Sequence, residues 1–299
     1  MDENQTLQGI RILSLALNLP GPAALYRCRL MGAYCTKLEP PPEPGQTSAD
    51  PMALYCPDAY SELHREVRVI TANLKTDAGQ QLLQQELVQT DVLLTSFRPP
   101  ALQKLGLSWD TLHALYPELC VVSIQGDIVP EACNHPGHDL TYQAQAGLVV
   151  PGKLPPSLFA DMAGATIATE AILQTLLQRL RTNAGAHLDI GLAQAAQWLA
   201  LPLHWGLTAS HGQVGGAHAG YGVYATADGY VAVAALEPHF ARALCAVAGF
   251  ECDGTIKSMQ AADVHNRIRE YLQATTGPDL ERIASERDIP LHLITKTFE

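Results

Sequence analysis

Two side chains in this 299-residue sequence combine type and setting in a way suited to moving protons. His138 stands in Gly137-His138-Asp139, and Asp161 stands just ahead of a long apolar helical pattern. An imidazole and a carboxylate form an unlike pair, and burial and partners can poise each of them near neutral pH. Taken singly, both have ordinary readings. Asp161 reads as the N-cap of the helix that follows, and His138 is one of eleven histidines. Glu237, ahead of Pro238, likewise reads as a helix-start acid. Pro20-Gly21-Pro22 follows the first apolar strand, but no Gly-x-Gly-x-x-Gly accompanies it, so neither nicotinamide nor flavin is implied. The seven cysteines (28, 35, 56, 120, 133, 245 and 252) are odd in number, and none forms a C-x-x-C pair or joins histidines at zinc spacing. Reduced, mostly buried thiols and no metal are expected.

The elements that must carry these groups follow from periodicity. Residues 9 to 39 read as strand (Ile10 to Leu15), Ala/Leu-rich helix (to Met31) and second strand (ending Lys37-Leu38-Glu39). Further strands are expected at Asp91 to Thr95 and at Leu119 to Ile124, each after a helical segment. That alternation predicts an α/β fold, a Rossmann-like, mainly parallel sheet covered on both faces. The helix after Asp161 carries Ile172, Leu176 and Leu180 at i, i+4 spacing as a core stripe, and Asn183-Ala184-Gly185 ends it. Past Leu201 the character changes. A hairpin is expected from Tyr221 to Ala234, closed by an Asp228-Gly229 turn, with helices from about Pro238 to the end. The expected organisation is a large domain over 1–205 and a smaller α+β domain over 206–299.

Bulk properties narrow the partners. A net charge of −11, from 19 Lys+Arg against 30 Asp+Glu, gives no footprint for nucleic acid, and no basic run reads as a membrane patch. The start Met1-Asp2-Glu3-Asn4 is polar and acidic and no apolar stretch approaches 18 residues, so neither a signal peptide nor a span is expected. A cytoplasmic protein that meets a small molecule or another subunit is the expectation.

Many short segments, in order, resemble one superfamily. They include Leu7-Gln8-Gly9-Ile10-Arg11, Pro20-Gly21-Pro22, Lys37-Leu38-Glu39, Asn73-Leu74-Lys75, Phe97-Arg98-Pro99, Lys104-Leu105-Gly106-Leu107, Gly137-His138-Asp139-Leu140, Ala160-Asp161 and Thr226-Ala227-Asp228-Gly229. Together, over nearly the whole chain, they resemble the α-methylacyl-CoA racemases and family III CoA-transferases. Gly137-His138-Asp139, Gly215-Gly216-Ala217 and Leu236-Glu237-Pro238 resemble the racemase side. Two departures accompany the resemblance: Pro40 stands where the family generally has an arginine, and the chain stops soon after Asp288-Ile289-Pro290, where relatives continue.

The resemblance implies a coenzyme A thioester as substrate, no prosthetic group and a homodimer. It implies that His138 and Asp161 serve the two faces of an acyl-CoA α-carbon, with Glu237 orienting His138 through its second ring nitrogen. The N–H groups of Met162 and Ala163 would meet the enolate oxygen. Arg98 foremost, then Lys75, Arg65 and Arg68, would hold the CoA phosphates or adenine. A CoA-transferase in which Asp161 attacks the thioester is the alternative, and an acyl-CoA-binding member without turnover is a third.

Overall fold

A computed structural model of the chain describes residues 5–132 and 135–294, so Cys133 and the polar start Met1–Asn4 lie outside the described residues. The fold divides into two units, Met1–Ala200 and Leu201–Glu299, a boundary five residues before the one read from the sequence.

The first unit is built on six parallel strands, β1 (Arg11–Ser14), β2 (Tyr34–Glu39), β3 (Arg68–Thr71), β4 (Val92–Thr95), β5 (Cys120–Gln125) and β6 (His187–Gly191), in the order β3-β2-β1-β4-β5-β6. Period-two alternation splits the central strands between two cores. Ile12, Val92, Leu94, Val122 and Ile124 face one side with Ala165, Ala168 and Ile172, whereas Leu13, Leu93 and Val121 face the other with Leu83 and Leu112. A strand buried on both faces needs an unbroken apolar run, which is why β4 and β5 were legible in sequence. Gly21 lets the first helix, Pro20–Leu30, close onto the end of β1; a Cβ there would stand 2.2 Å from Ala16 Cβ.

The long helix departs from its sequence reading at its start and in the reach of its core stripe, while its stop falls at Asn183 as expected. It runs Phe159–Thr182, so Leu158 is the N-cap and Asp161 is the third helical residue, not the cap. Ile172 and Leu176 are buried, but Leu180 is 78% exposed. Steps of four residues advance about 40° around a helix, so the stripe rotates off the core by Leu180. Asn183 ends the helix in the left-handed conformation, φ 53°.

The second unit is an antiparallel sheet of β7 (Tyr221–Ala225), β8 (Tyr230–Ala234) and β9 (Leu291–Leu293), with helices that include Pro238–Val247 and Ala262–Ala274. β9 is a strand where only helices were expected. The hairpin loop is also longer than the Asp-Gly turn anticipated: it spans 226–229, closed by Thr226 N–H donating to Gly229 O at 2.9 Å. Asp228 instead accepts from the Thr226 hydroxyl and the Gly277 N–H, at 3.0 and 2.8 Å. Among the described residues no helix is long and apolar enough to cross a membrane.

Candidate active site

In the first unit the strand order reverses between β1 and β4, and the chain connections leave that point in opposite directions. A crevice at the carboxyl ends of the strands is the expected ligand position in such sheets. Here it is a cavity of about 190 Å³. Leu17 and Asn18 after β1, Ser96 to Arg98 after β4, and Gln125-Gly126 at the end of β5 line it, together with His138, Tyr142 and Asp161. Three residues singled out from sequence, His138, Asp161 and Arg98, are therefore brought to one cavity.

Each is held by local structure. His138 is the extended N-cap of the Asp139–Gln145 helix; its N–H donates to Thr141 Oγ at 3.0 Å, and the Thr141 hydroxyl donates back to His138 O at 2.7 Å. The imidazole itself is exposed. Tyr142, one turn further, is buried, and its hydroxyl occupies space that a Cβ at Gly126 or Gly137 would enter, at 2.1 and 2.6 Å. Burial, with the nearby Asp161 charge, pushes the Tyr142 phenol up, so it stays a proton donor.

Asp161 is half-buried, and burial followed by the neighbouring Asp139 charge raises its carboxyl to about 7. Asp139 is itself buried. Its Oδ1 accepts the Asp161 N–H at 3.0 Å, and its Oδ2 accepts the Gln143 amide at 2.5 Å. This one carboxylate thus ties the helix carrying His138 to the helix start carrying Asp161. A carboxyl poised near 7 gives and takes protons with comparable ease.

The oxyanion donors expected at Met162 and Ala163 need correction. Because the helix begins at Phe159, Met162 N–H already donates to Leu158 O at 3.0 Å, and Ala163 lies deeper within the helix. The N–H groups left without an intrahelical carbonyl are those of Phe159 and Ala160, since Asp139 takes that of Asp161. The cation set also divides. Arg98 lines the cavity as the N-cap of Pro99–Lys104, and exposed Lys75 follows β3 at the same sheet edge. Arg65 and Arg68 lie instead where the chain enters β3, at the opposite edge, and Arg68 makes a two-pronged bond to Glu86 at 2.8 and 2.9 Å. Glu237 belongs to the second unit, where it is the exposed N-cap of Pro238–Val247, and its assignment to His138 rests on the sequence resemblance.

Sequence reasoning overlooked a buried polar cluster behind Asn18. The Asn18 N–H donates to Asp50 Oδ1 at 3.1 Å, holding Asn18 at φ 62° on the cavity wall. Asp50 is fully buried and pairs with Lys37, whose Nζ also lies 2.9 Å from Glu39 Oε1 and 2.9 Å from His64 Nε2. Glu39, Asp50 and His64 have the donor atoms of a metal site, but the Lys37 ammonium occupies its centre. Burial alone would raise the Glu39 carboxyl, but hydrogen bonds from Ser48, Lys37 and Tyr60 outweigh it and hold the group low. The signal available was Lys37 two residues before Glu39 in one strand, which alternation places on the same face, so that a buried lysine has an acidic partner beside it.

Comparison with known proteins finds relatives in both sequence and fold. An acyl-CoA transferase of Fusarium pseudograminearum is 27% identical, over 91% of this chain and 65% of its own length. The human alpha-methylacyl-CoA racemase is also 27% identical, over 86% of this chain and 68% of its own. This chain therefore spans about two thirds of the length of these curated relatives. The crystal structure of the hypothetical protein Rv3272 from Mycobacterium tuberculosis superposes with a TM-score of 0.80 and 24% identity, covering 98% of this chain and 84% of that one, a likeness of fold. The model of CoA-transferase family III matches residues 7–297, and the chain belongs to that family, whose members here include both transferases and a racemase.

Proposed function

We propose that this chain inverts the α-carbon of 2-methylacyl-CoA thioesters by proton transfer between Asp161 and His138. The observation that carries the reading is the Asp161 carboxyl, raised to about 7 by burial and Asp139 on the wall of a cavity that His138 also lines. One group takes the α-proton as the C–H electron pair passes into the enolate, and the other returns a proton to the opposite face. The Tyr142 hydroxyl, on the cavity wall, is the donor offered to the enolate oxygen. Arg98 and Lys75 take the CoA phosphates, and the active form is a homodimer in the cytoplasm. No prosthetic group enters this chemistry.

A second reading has a specific observation in its favour. Asp161 is the one carboxylate among the described residues that line the cavity. As a CoA-transferase nucleophile it would attack the thioester carbonyl, expel CoA thiolate and form an acyl-aspartyl anhydride that a second acid resolves. A carboxyl near 7 is about half ionised at neutral pH and can serve as base or as nucleophile, so the two readings part at His138, which only the proton-transfer reading uses.

The test is incubation with 2-methylacyl-CoA in heavy water, with and without an acceptor acid, read by mass spectrometry. Deuterium at the α-carbon without an acceptor is the expected result. CoA migration between acids, with exchange only when acceptor is present, overturns the racemase assignment in favour of the transferase.

A further inference from the structure

The second unit carries a pair of thiols that the proposed chemistry does not use. Cys245 lies near the end of the Pro238–Val247 helix and is fully buried, and Cys252 lies in the following loop, partly exposed. Their Sγ atoms are 2.7 Å apart, whereas the third sulfur of the group, Met259 Sδ, lies 3.8 and 3.9 Å from them. A disulfide bond is about 2.05 Å long, so the two thiol sulfurs approach to within about 0.7 Å of bonding distance. The thioether keeps an ordinary packing distance. Gly249 and Gly254, at φ 80° and 70°, bracket the loop and let it turn back onto the helix end. The remaining described cysteines are buried, except Cys56, which is exposed.

We propose that Cys245 and Cys252 form a reversible disulfide by exchange with a low-molecular-weight disulfide, entered at Cys252. The burial asymmetry sets the order of events. Cys252, as its thiolate, attacks one sulfur of the small disulfide; that S–S bond breaks, and one small thiol leaves with a proton. Cys245 then releases its proton to water and attacks Cys252 Sγ, expelling the second small thiol. Two protein thiols are oxidised to one disulfide, and one small disulfide is reduced to two thiols. Burial and the adjacent Cys252 push the Cys245 thiol well above the ordinary range, so closure is the slow step and quickens with pH. The product fastens the loop to the helix inside the core that also holds Met259, Leu244 and Ile268.

The test uses the full chain carrying Cys56→Ser and Cys133→Ser, exposed under native conditions to buffers of oxidised and reduced glutathione and mapped by peptide mass. A linked Cys245–Cys252 peptide, lighter by two hydrogens, is expected, with closure quickening about tenfold per pH unit. Adding Cys245→Ala is expected to leave glutathione trapped on Cys252, and adding Cys252→Ser to leave Cys245 unmodified. Stable glutathione on Cys252 while Cys245 is present, modification of Cys245 first, or two free thiols at every glutathione ratio would each overturn the proposal. The outcome is independent of which acyl-CoA reaction the first unit performs.

Discussion

At Asp161 a carboxyl held near pH 7 has opposite consequences for activity and for stability. Its ordinary value is 3.8 and its folded value about 7, so between those limits the folded state binds more protons than the unfolded chain. Stability therefore falls as pH rises through that window and is level beyond it. Asp161→Asn removes the penalty. Its melting temperature is expected to exceed that of the parent at pH 8 and to match it at pH 3, with a gain on the order of 1 kcal/mol after allowance for partial exposure. The same variant is expected to lose about 10²- to 10⁴-fold in exchange from the enantiomer whose proton Asp161 removes. His138→Ala should lose the opposite exchange, so each variant abolishes net inversion while sparing one half-reaction. A His138→Ala enzyme that inverts substrate at the parent rate removes that residue from the mechanism.

At the scale of elements, the carboxyl edge of the parallel sheet decides which cations can meet a ligand. Arg98 follows β4 and Pro40 follows β2, both at the edge that holds the cavity, whereas Arg68 enters β3 at the other. Calorimetry with CoA is expected to show about tenfold weaker binding for Arg98→Ala, tighter binding for Pro40→Arg and no change for Arg68→Ala. Equal losses at Arg98 and Arg68 would contradict the placement. The same edge logic explains what the sequence disclosed. β4 and β5, buried on both faces, announce themselves as apolar runs, whereas the outer strands β3 and β6, with mixed exposure, carry no such run and escaped notice. His138 and Asp161 were legible through short motifs. Asp139 was not, because its bond to the Asp161 N–H crosses 22 residues and only the packing of two helices creates it. Met162 and Ala163 were misread as donors for a related reason: a helix start displaced by three residues changes which N–H groups are free.

On the scale of the molecule, each unit has a core of its own, and the first contains a buried charge cluster that its sheet cannot dispense with. Lys37, Glu39 and Asp50 are each at most 2% exposed, one cation between two carboxylates. Such a group contributes little net stability while intact, but loss of the cation strands two acids in an apolar interior. Lys37→Met is therefore expected to destabilise the first unit by about 3–5 kcal/mol, enough to be decisive against a typical total of about 5–15 kcal/mol. Asp50 also receives the Asn18 N–H, so the damage should reach the cavity wall through Asn18. Hydrogen exchange followed by mass spectrometry localises the effect: protection is expected to fall across β1 and β2 and at residues 17–18, while β7 and β8 keep theirs. Adding Asp50→Leu and Glu39→Gln to Lys37→Met should recover much of the lost protection in β1 and β2, because no unpaired charge then remains buried. Asn18 should stay unprotected, since an aliphatic side chain in place of the Asp50 carboxylate offers its N–H no acceptor. Recovery at Asn18 as well would mean that the loop after β1 holds its left-handed turn without the carboxylate.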